Sequence, residues 1–252
     1  MIKLLVFDKD GVILDLVATW LPVIRAVAEY TVSRLPDGYD GGITRTDLLA
    51  VVGVDDAADI IDPSGLFAAA SFAEIREAWQ EILPPDMIRL NEEPRYRDRV
   101  KELVLELARG STIAKGDVKT PLTALYEAGF KLAVLTNDNA DSAAQNLRDL
   151  DIDHLFHPIL GADSGYGGKP APDGLLHCCA LHNVDPSEAI MIGDTSADYG
   201  VAVNGRVADF ICIADDPAHR PDEAIPVSNV IARLTDLPRL LGTRNDTVMQ
   251  QV

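Results

Sequence analysis

The sequence predicts an α/β fold: a Rossmann-like parallel sheet core with helices on both faces, plus an inserted α-helical domain. Three observations predict it. Short, nearly continuous apolar runs occur at residues 2–7, 130–135, 189–192 and 210–214, as strands covered on both faces require. Helical-looking segments accompany the last three, around residues 118–128, 140–150, 172–182 and 197–203, and that alternation favours parallel pairing. Between the first run and the second the rhythm breaks into one long, mainly helical stretch, residues 16–115.

Within that stretch, residues 17–35 carry an apolar stripe and residues 46–52 form a short candidate helix. Ser71-Phe72-Ala73-Glu74 reads as a capping box opening a helix that runs to Leu83. Residues 93–108 form another helix, ended by Gly110. The expected division is therefore a sheet core of residues 1–15 and 116–252 and a separate small helical domain of residues 16–115, with hinges near Leu16 and Gly116. Residues 242–252 carry no periodicity and read as a frayed tail.

Composition bounds the partners. The 252 residues are 47% hydrophobic and 25% charged, an ordinary globular balance with enough apolar material for a sizeable core. Forty acids against 22 basic residues give a net charge of −18. Such a surface repels phosphate backbones and anionic lipids, which argues against nucleic acid and membrane partners. A phosphorylated substrate would then have to be drawn in by a local exception, most simply a bound cation. No apolar run is long enough to span a bilayer, and the N-terminal run ends in acids instead of a cleavage site, so the expected location is cytoplasmic. Cys178, Cys179 and Cys212 have neither disulfide nor metal-ligand spacing and read as buried free thiols.

Chemistry-bearing residues cluster where the strands end. The first run closes in Asp8-Lys9-Asp10-Gly11. Asp8 and Asp10 flank one residue, project to the same side of an extended segment and together favour a cation; a turn or helix cap built from Asp and Gly is the bland alternative. Gly11 permits a sharp turn and could offer its N–H to an anion. The second run closes in Thr136-Asn137-Asp138, where the hydroxyl suits a phosphate oxygen or a helix cap. The stretch from Gly161 to Pro170 fails the P-loop pattern at Asp163 and Pro170, leaving Lys169 held between glycines and prolines. The third run closes in Gly193-Asp194-Thr195-Ser196-Ala197-Asp198, with Asp198 about one helical turn beyond Asp194. Asp198 also suits the first turn of a helix, where the dipole favours an acid.

The order of these motifs resembles the haloacid dehalogenase superfamily, specifically its phosphoglycolate phosphatase-like members with a helical cap after the first motif. The resemblance covers essentially residues 2–214. It implies Asp8 as the nucleophile that forms an aspartyl-phosphate and Asp10 as the general acid/base. It implies Thr136 and Lys169 as groups that hold the phosphoryl oxygens, with Gly11 and Asn137 also at the phosphate. Mg²⁺ would be held by Asp8, Asp194 and the backbone carbonyl of Asp10. Asp198 would act through the metal's water shell or by orienting the lysine. An all-oxygen donor set agrees with a hard cation.

Two positions depart from the family pattern. Lys9 stands where an apolar residue is more common, and could lie against the phosphate, at the cap entrance, or point outward. Ile13 replaces a common threonine. Asp10 argues against a dehalogenase, whose members lack the second aspartate. Elsewhere, His154 and His157 have metal-like spacing but no third ligand, and Arg95, Arg97, Arg99 and Lys101 read as a solvated helix face. Arg45 is a weak candidate for binding a substrate anion, and Trp20 and Trp79 read as cap core. The expected function is Mg²⁺-dependent hydrolysis of a small phosphorylated metabolite. A β-phosphoglucomutase-type mutase and a non-catalytic metal or phosphate sensor are the alternatives. Substrate identity and oligomeric state are not legible.

Overall fold

A computed structural model describes residues 1–36, 39, 41–62, 65–108 and 111–242. Gly110 and all but the first residue of the expected tail lie outside the described residues. Strand β1 (Leu4–Phe7) comes first. Next come α1 (Leu16–Val32), α2 (Arg45–Val51), β2 (Val54–Asp55), β3 (Ile60–Ile61), α3 (Leu66–Ala69), α4 (Phe72–Ile82) and α5 (Pro94–Ala108). The chain continues through α6 (Lys119–Glu127), β4 (Lys131–Leu135), α7 (Ala140–Asp149), β5 (Phe156–Leu160), α8 (Asp173–His182), β6 (Ala189–Gly193), α9 (Ser196–Gly205), β7 (Asp209–Ile213) and β8 (Val230–Ile231). It divides into two compact units, one of Met1–Asp15 with the chain from Ala114 onward, the other Leu16–Ile113. No helix among the described residues is long and apolar enough to cross a membrane.

The first unit is built on a six-stranded sheet in the order β5-β4-β1-β6-β7-β8, with every neighbouring pair parallel. The alternation of a strand decides its layers. Leu5 and Phe7 of β1 face a core completed by Leu122 and Leu125 of α6 and Leu147 of α7. Leu4 and Val6 face the opposite core, completed by Leu175 and Cys178 of α8 and Val201 of α9. All four β1 side chains are fully buried. Each contributes roughly 1.5–3 kcal/mol of apolar burial, which explains why a four-residue strand suffices at the centre. The three cysteines are buried free thiols, as expected.

Two strands of this sheet have no counterpart in the apolar runs. β5 has the sequence FHPIL, with exposed His157 and the proline between the apolar ends. It is an edge strand, where one side needs no ladder partner and proline is tolerated. β8 is only two residues long.

The second unit has its own core around Trp20, Ile24, Leu48, Trp79 and Tyr96. Trp79 buries its ring and donates its indole N–H to Leu48 O at 2.7 Å. Ser71 and Glu74 form the expected capping box at the start of α4. The expectation of helix almost throughout is corrected at β2 and β3, which pair antiparallel as a small hairpin. Two-residue strands are too short to show an alternating period.

Sheet order also locates a crevice. From β1 the chain places β4 and β5 on one side, then returns to place β6, β7 and β8 on the other. Ligands bind at the carboxyl ends of strands where the order reverses, here between β1 and β6.

Candidate active site

Asp8 follows β1 and Asp194 follows β6, the two strands that flank this reversal. The Asp8 N–H donates to Ile192 O at 2.8 Å, continuing the β1–β6 ladder into the site. Asp198 lies in the first turn of α9. Its Oδ2 accepts from Thr195 N at 3.0 Å and Thr195 Oγ1 at 2.6 Å, completing a capping box. Capping does not use up the side chain, because its Oδ1 faces the other way and accepts from Lys169 Nζ at 2.6 Å. Lys169 Nζ also stands 2.7 Å from Asp8 Oδ1. Four predicted residues, 8, 169, 194 and 198, are thus brought together by β1, the β5–α8 loop, β6 and α9.

Burial shapes the charges. The Asp8 carboxyl is pushed up to about 7, first by burial and then by the charge of Asp198, against the pull of Lys169. Asp194 is raised well above the usual carboxylate range by burial and by Asp8 and Asp198. Burial pulls Lys169 down, but Asp198 and Asp8 outweigh it and hold the ammonium above the ordinary lysine range.

A cation fits this donor set. Carboxylate oxygens of Asp8, Asp194 and Asp198 lie within 4.8 Å of one another. Asp194 Oδ1 is buried with no hydrogen-bond partner, a costly arrangement that a ligated cation would relieve. Oxygen donors with excess negative charge select a hard divalent ion. The Asp10 side chain is not part of this trio. His154 and His157 join no such group among the described residues.

Gly11 makes the sharp turn expected of it, while its N–H has a partner within the chain. Its N–H donates to Leu14 O at 2.9 Å and so is already engaged. Its φ of +80° lies in the left-handed region. A Cβ there would lie 2.0 Å from Asp194 Oδ2, so the backbone approaches the carboxylate as only glycine can.

Thr136 is buried at the end of β4, and its Oγ1 accepts from Asp138 N at 3.1 Å, which orients the hydroxyl. Asn137, expected at the phosphate, clamps the Lys169 backbone. Its Oδ1 accepts from Lys169 N at 2.7 Å, and its Nδ2 donates to Lys169 O at 3.3 Å. Asp163, which broke the P-loop pattern, accepts from Ala140 N at 2.9 Å in the first turn of α7. Gly161 lets the loop come this close, since a Cβ there would meet Ala140 N at 2.3 Å.

Two lysines make contacts that no sequence motif signals. Lys115 Nζ donates to Gly11 O at 2.5 Å, and its charge works against the raised value of Asp194. Nothing in the sequence signals this, because the acceptor is a backbone carbonyl. Lys9 does not point outward. It is fully buried, with Nζ 2.8 Å from Asp138 Oδ2, 2.9 Å from Asn146 Oδ1 and 3.1 Å from Asp10 Oδ2. Arg45 is engaged with Asp56 at 2.7 Å, beside Arg25, and Arg99 pairs with Glu102 and Glu106.

Comparison with known proteins agrees with this geometry. A family model described as haloacid dehalogenase-like hydrolase matches residues 2–205. A phosphoglycolate phosphatase of Psychrobacter arcticus is 37% identical over 102 residues, which span 40% of this chain and only 44% of that protein. One of Vibrio vulnificus is 28% identical over 209 residues, 83% of this chain and 82% of that protein. The crystal structure of a predicted phosphoglycolate phosphatase of Haemophilus somnus shares the fold, with a TM-score of 0.69 at 18% identity over 95% of this chain and 98% of that one.

Proposed function

The chain belongs to the haloacid dehalogenase-like hydrolases, and on that premise we propose that it hydrolyses a small-molecule phosphate monoester in a Mg²⁺-dependent reaction through an aspartyl-phosphate, in the manner of phosphoglycolate phosphatases. The observation that carries the proposal is the convergence of Asp8, Asp194 and Asp198 on one another, with Asp8 and Asp198 paired to Lys169 and one Asp194 oxygen buried and unpartnered.

Asp8, Asp194 and the backbone carbonyl of Asp10 would hold the ion, which when bound supplies charge neutralisation between the incoming phosphoryl group and Asp8. An Asp8 carboxylate oxygen attacks phosphorus and forms a P–O bond as the bond to the leaving alcohol breaks. The Asp10 carboxyl gives its proton to the departing oxygen. Asp10, now a carboxylate, takes a proton from the water that attacks the aspartyl-phosphate. Inorganic phosphate leaves and Asp8 is regenerated. Lys169 and the Thr136 hydroxyl hold the phosphoryl oxygens throughout, as charge moves between attacking and leaving oxygens. The role of residues 16–115 as a cap that selects the organic part of the substrate and excludes water belongs to the same proposal.

The test is phosphate release from a panel of small phosphate esters, 2-phosphoglycolate among them, with Mg²⁺ or with EDTA, for wild type and Asp8→Asn. Turnover that requires both the ion and Asp8 is the expected result. A folded, cation-binding protein that releases phosphate from none of them overturns the proposal, as does a phosphoenzyme that passes its phosphate to a sugar in preference to water.

A further inference from the structure

Lys9 carries a burden that its place in the site does not explain. A fully buried ammonium is unfavourable unless it is paired and hydrogen-bonded on several sides. Lys9 is so paired, and its partners come from separate elements: Asp10 from the β1 exit, Asp138 from the β4 exit and Asn146 from α7. The β4 exit in turn orients Thr136 through the Asp138 N–H and clamps Lys169 through Asn137. One buried cation therefore ties the Asp10 carboxylate to the loop that sets the phosphate-holding groups.

We propose that Lys9 is a positioning residue that fixes the Asp10 side chain, so that its protonated carboxyl group meets the leaving oxygen and its carboxylate afterwards meets the attacking water. This rests on the reading of Asp10 as general acid. An aspartate one bond from the backbone can swing about two torsions, and a charge-assisted contact at 3.1 Å to an immobile ammonium restricts both. The ammonium is immobile because Asp138 and Asn146 hold it from the opposite elements, at 2.8 and 2.9 Å. A lysine that served only to fill the core would have no reason to be charged, since an apolar side chain of the same volume avoids the desolvation altogether.

Leaving-group chemistry separates this role from simple support of the fold. An aryl phosphate such as p-nitrophenyl phosphate departs as a stable phenolate and needs little protonation, whereas an alkyl phosphate departs as a strong base and needs the acid. For Lys9→Met the expected loss of kcat/KM, which reports aspartyl-phosphate formation and leaves out the later water attack that both substrates share, is about 100-fold on an alkyl phosphate and less than about 10-fold on p-nitrophenyl phosphate. Equal losses on the two substrates would mean a structural role and overturn the inference. Because Lys9→Met strands the buried Asp138 carboxylate, Lys9→Met/Asp138→Asn is measured alongside it. The double variant removes one charge of each sign and so keeps the net charge of the pocket, and its alkyl-to-aryl ratio should shift in the same direction. Asp10→Asn is the reference. If it shows the leaving-group-dependent loss and both Lys9 variants do not, the inference fails alone. If Asp10→Asn itself lowers kcat/KM equally on both substrates, Asp10 is not the acid and the functional reading fails with it.

Discussion

Gly11 and Asp194 share a space that holds either a Cβ or a carboxylate. The position a Cβ on Gly11 would take lies 2.0 Å from Asp194 Oδ2 and 2.7 Å from its Cγ. The first motif and the third therefore interlock through the absence of a side chain. Gly11→Ala has to push Asp194 out of place while also holding alanine at φ near +80°. The expected outcome is a stability loss of about 1–2 kcal/mol by thermal or urea melting, from the left-handed backbone alone. A fall of at least about tenfold in divalent-ion affinity by titration calorimetry should accompany it. Unchanged affinity would mean that Asp194 is not a ligand.

Asp198 allows its two roles to be separated. Asp198→Asn keeps an acceptor for the Thr195 cap but removes the charge facing Lys169, and Asp198→Ala removes both. The alanine variant should be less stable than the asparagine variant by about 1 kcal/mol, the worth of a cap. Both should lose turnover, by about 10- to 100-fold, because Lys169 is then held by Asp8 alone of this pair. Wild-type turnover in Asp198→Asn would show that the cap is its whole contribution.

Cation binding should release protons near neutral pH. Asp8 is pushed up to about 7 and Asp194 well above its usual range, so the cation-free site holds protons that ligation must expel. Apparent affinity should strengthen as pH rises from about 6 to about 8, and calorimetry in buffers of different ionisation enthalpy should count the protons released. Stability without the cation runs the opposite way. The folded state keeps the Asp8 proton that the unfolded chain has lost above its value of 3.8, so stability falls as pH rises from there through about 7. Saturating cation should flatten that decline in thermal melts.

The thiols should be silent. Burial pushes Cys178 and Cys212 up to about 12 and Cys179 to about 11, with help from Cys179 at Cys178, Asp185 at Cys179 and Asp194 at Cys212. A raised value lowers the thiolate fraction, and the thiolate is the reactive form. At pH about 8 the native protein should leave a disulfide reagent such as Ellman's unreacted, and unfolding should release three thiols. A fast-reacting cysteine in the native state would contradict the burial.

The legible parts of this molecule are those whose signal is local. β1, β4, β6 and β7 lie inside the sheet, where both faces are covered, and each shows as a nearly continuous apolar run. β5 lies at the edge and its His157 and Pro158 erase that run. Asp8, Thr136, Lys169, Asp194 and Asp198 stand out through their motifs and order along the chain. Lys9 showed only as a departure from the pattern, because its partners Asp138 and Asn146 lie 129 and 137 residues away. Lys115 finds Gly11 across 104 residues, and Asn137 finds Lys169 across 32. No spacing rule reaches over such distances, so these contacts emerge only with the fold.

The placement of β1 also has a consequence for the birth of the protein on the ribosome. Leu4 pairs in register with Lys131 on one side and with Ala189 on the other, so the central strand is translated first and its neighbours much later. At about 5–20 residues per second, the wait for β4 is on the order of ten seconds. Residues 16–113 are translated in full during that interval, and their own apolar core can assemble before β4 exists. Throughout it the Leu4-Leu5-Val6-Phe7 segment has no parallel strand to join, and a nascent chain stalled before Lys131 presents that segment to chaperones or to other nascent chains.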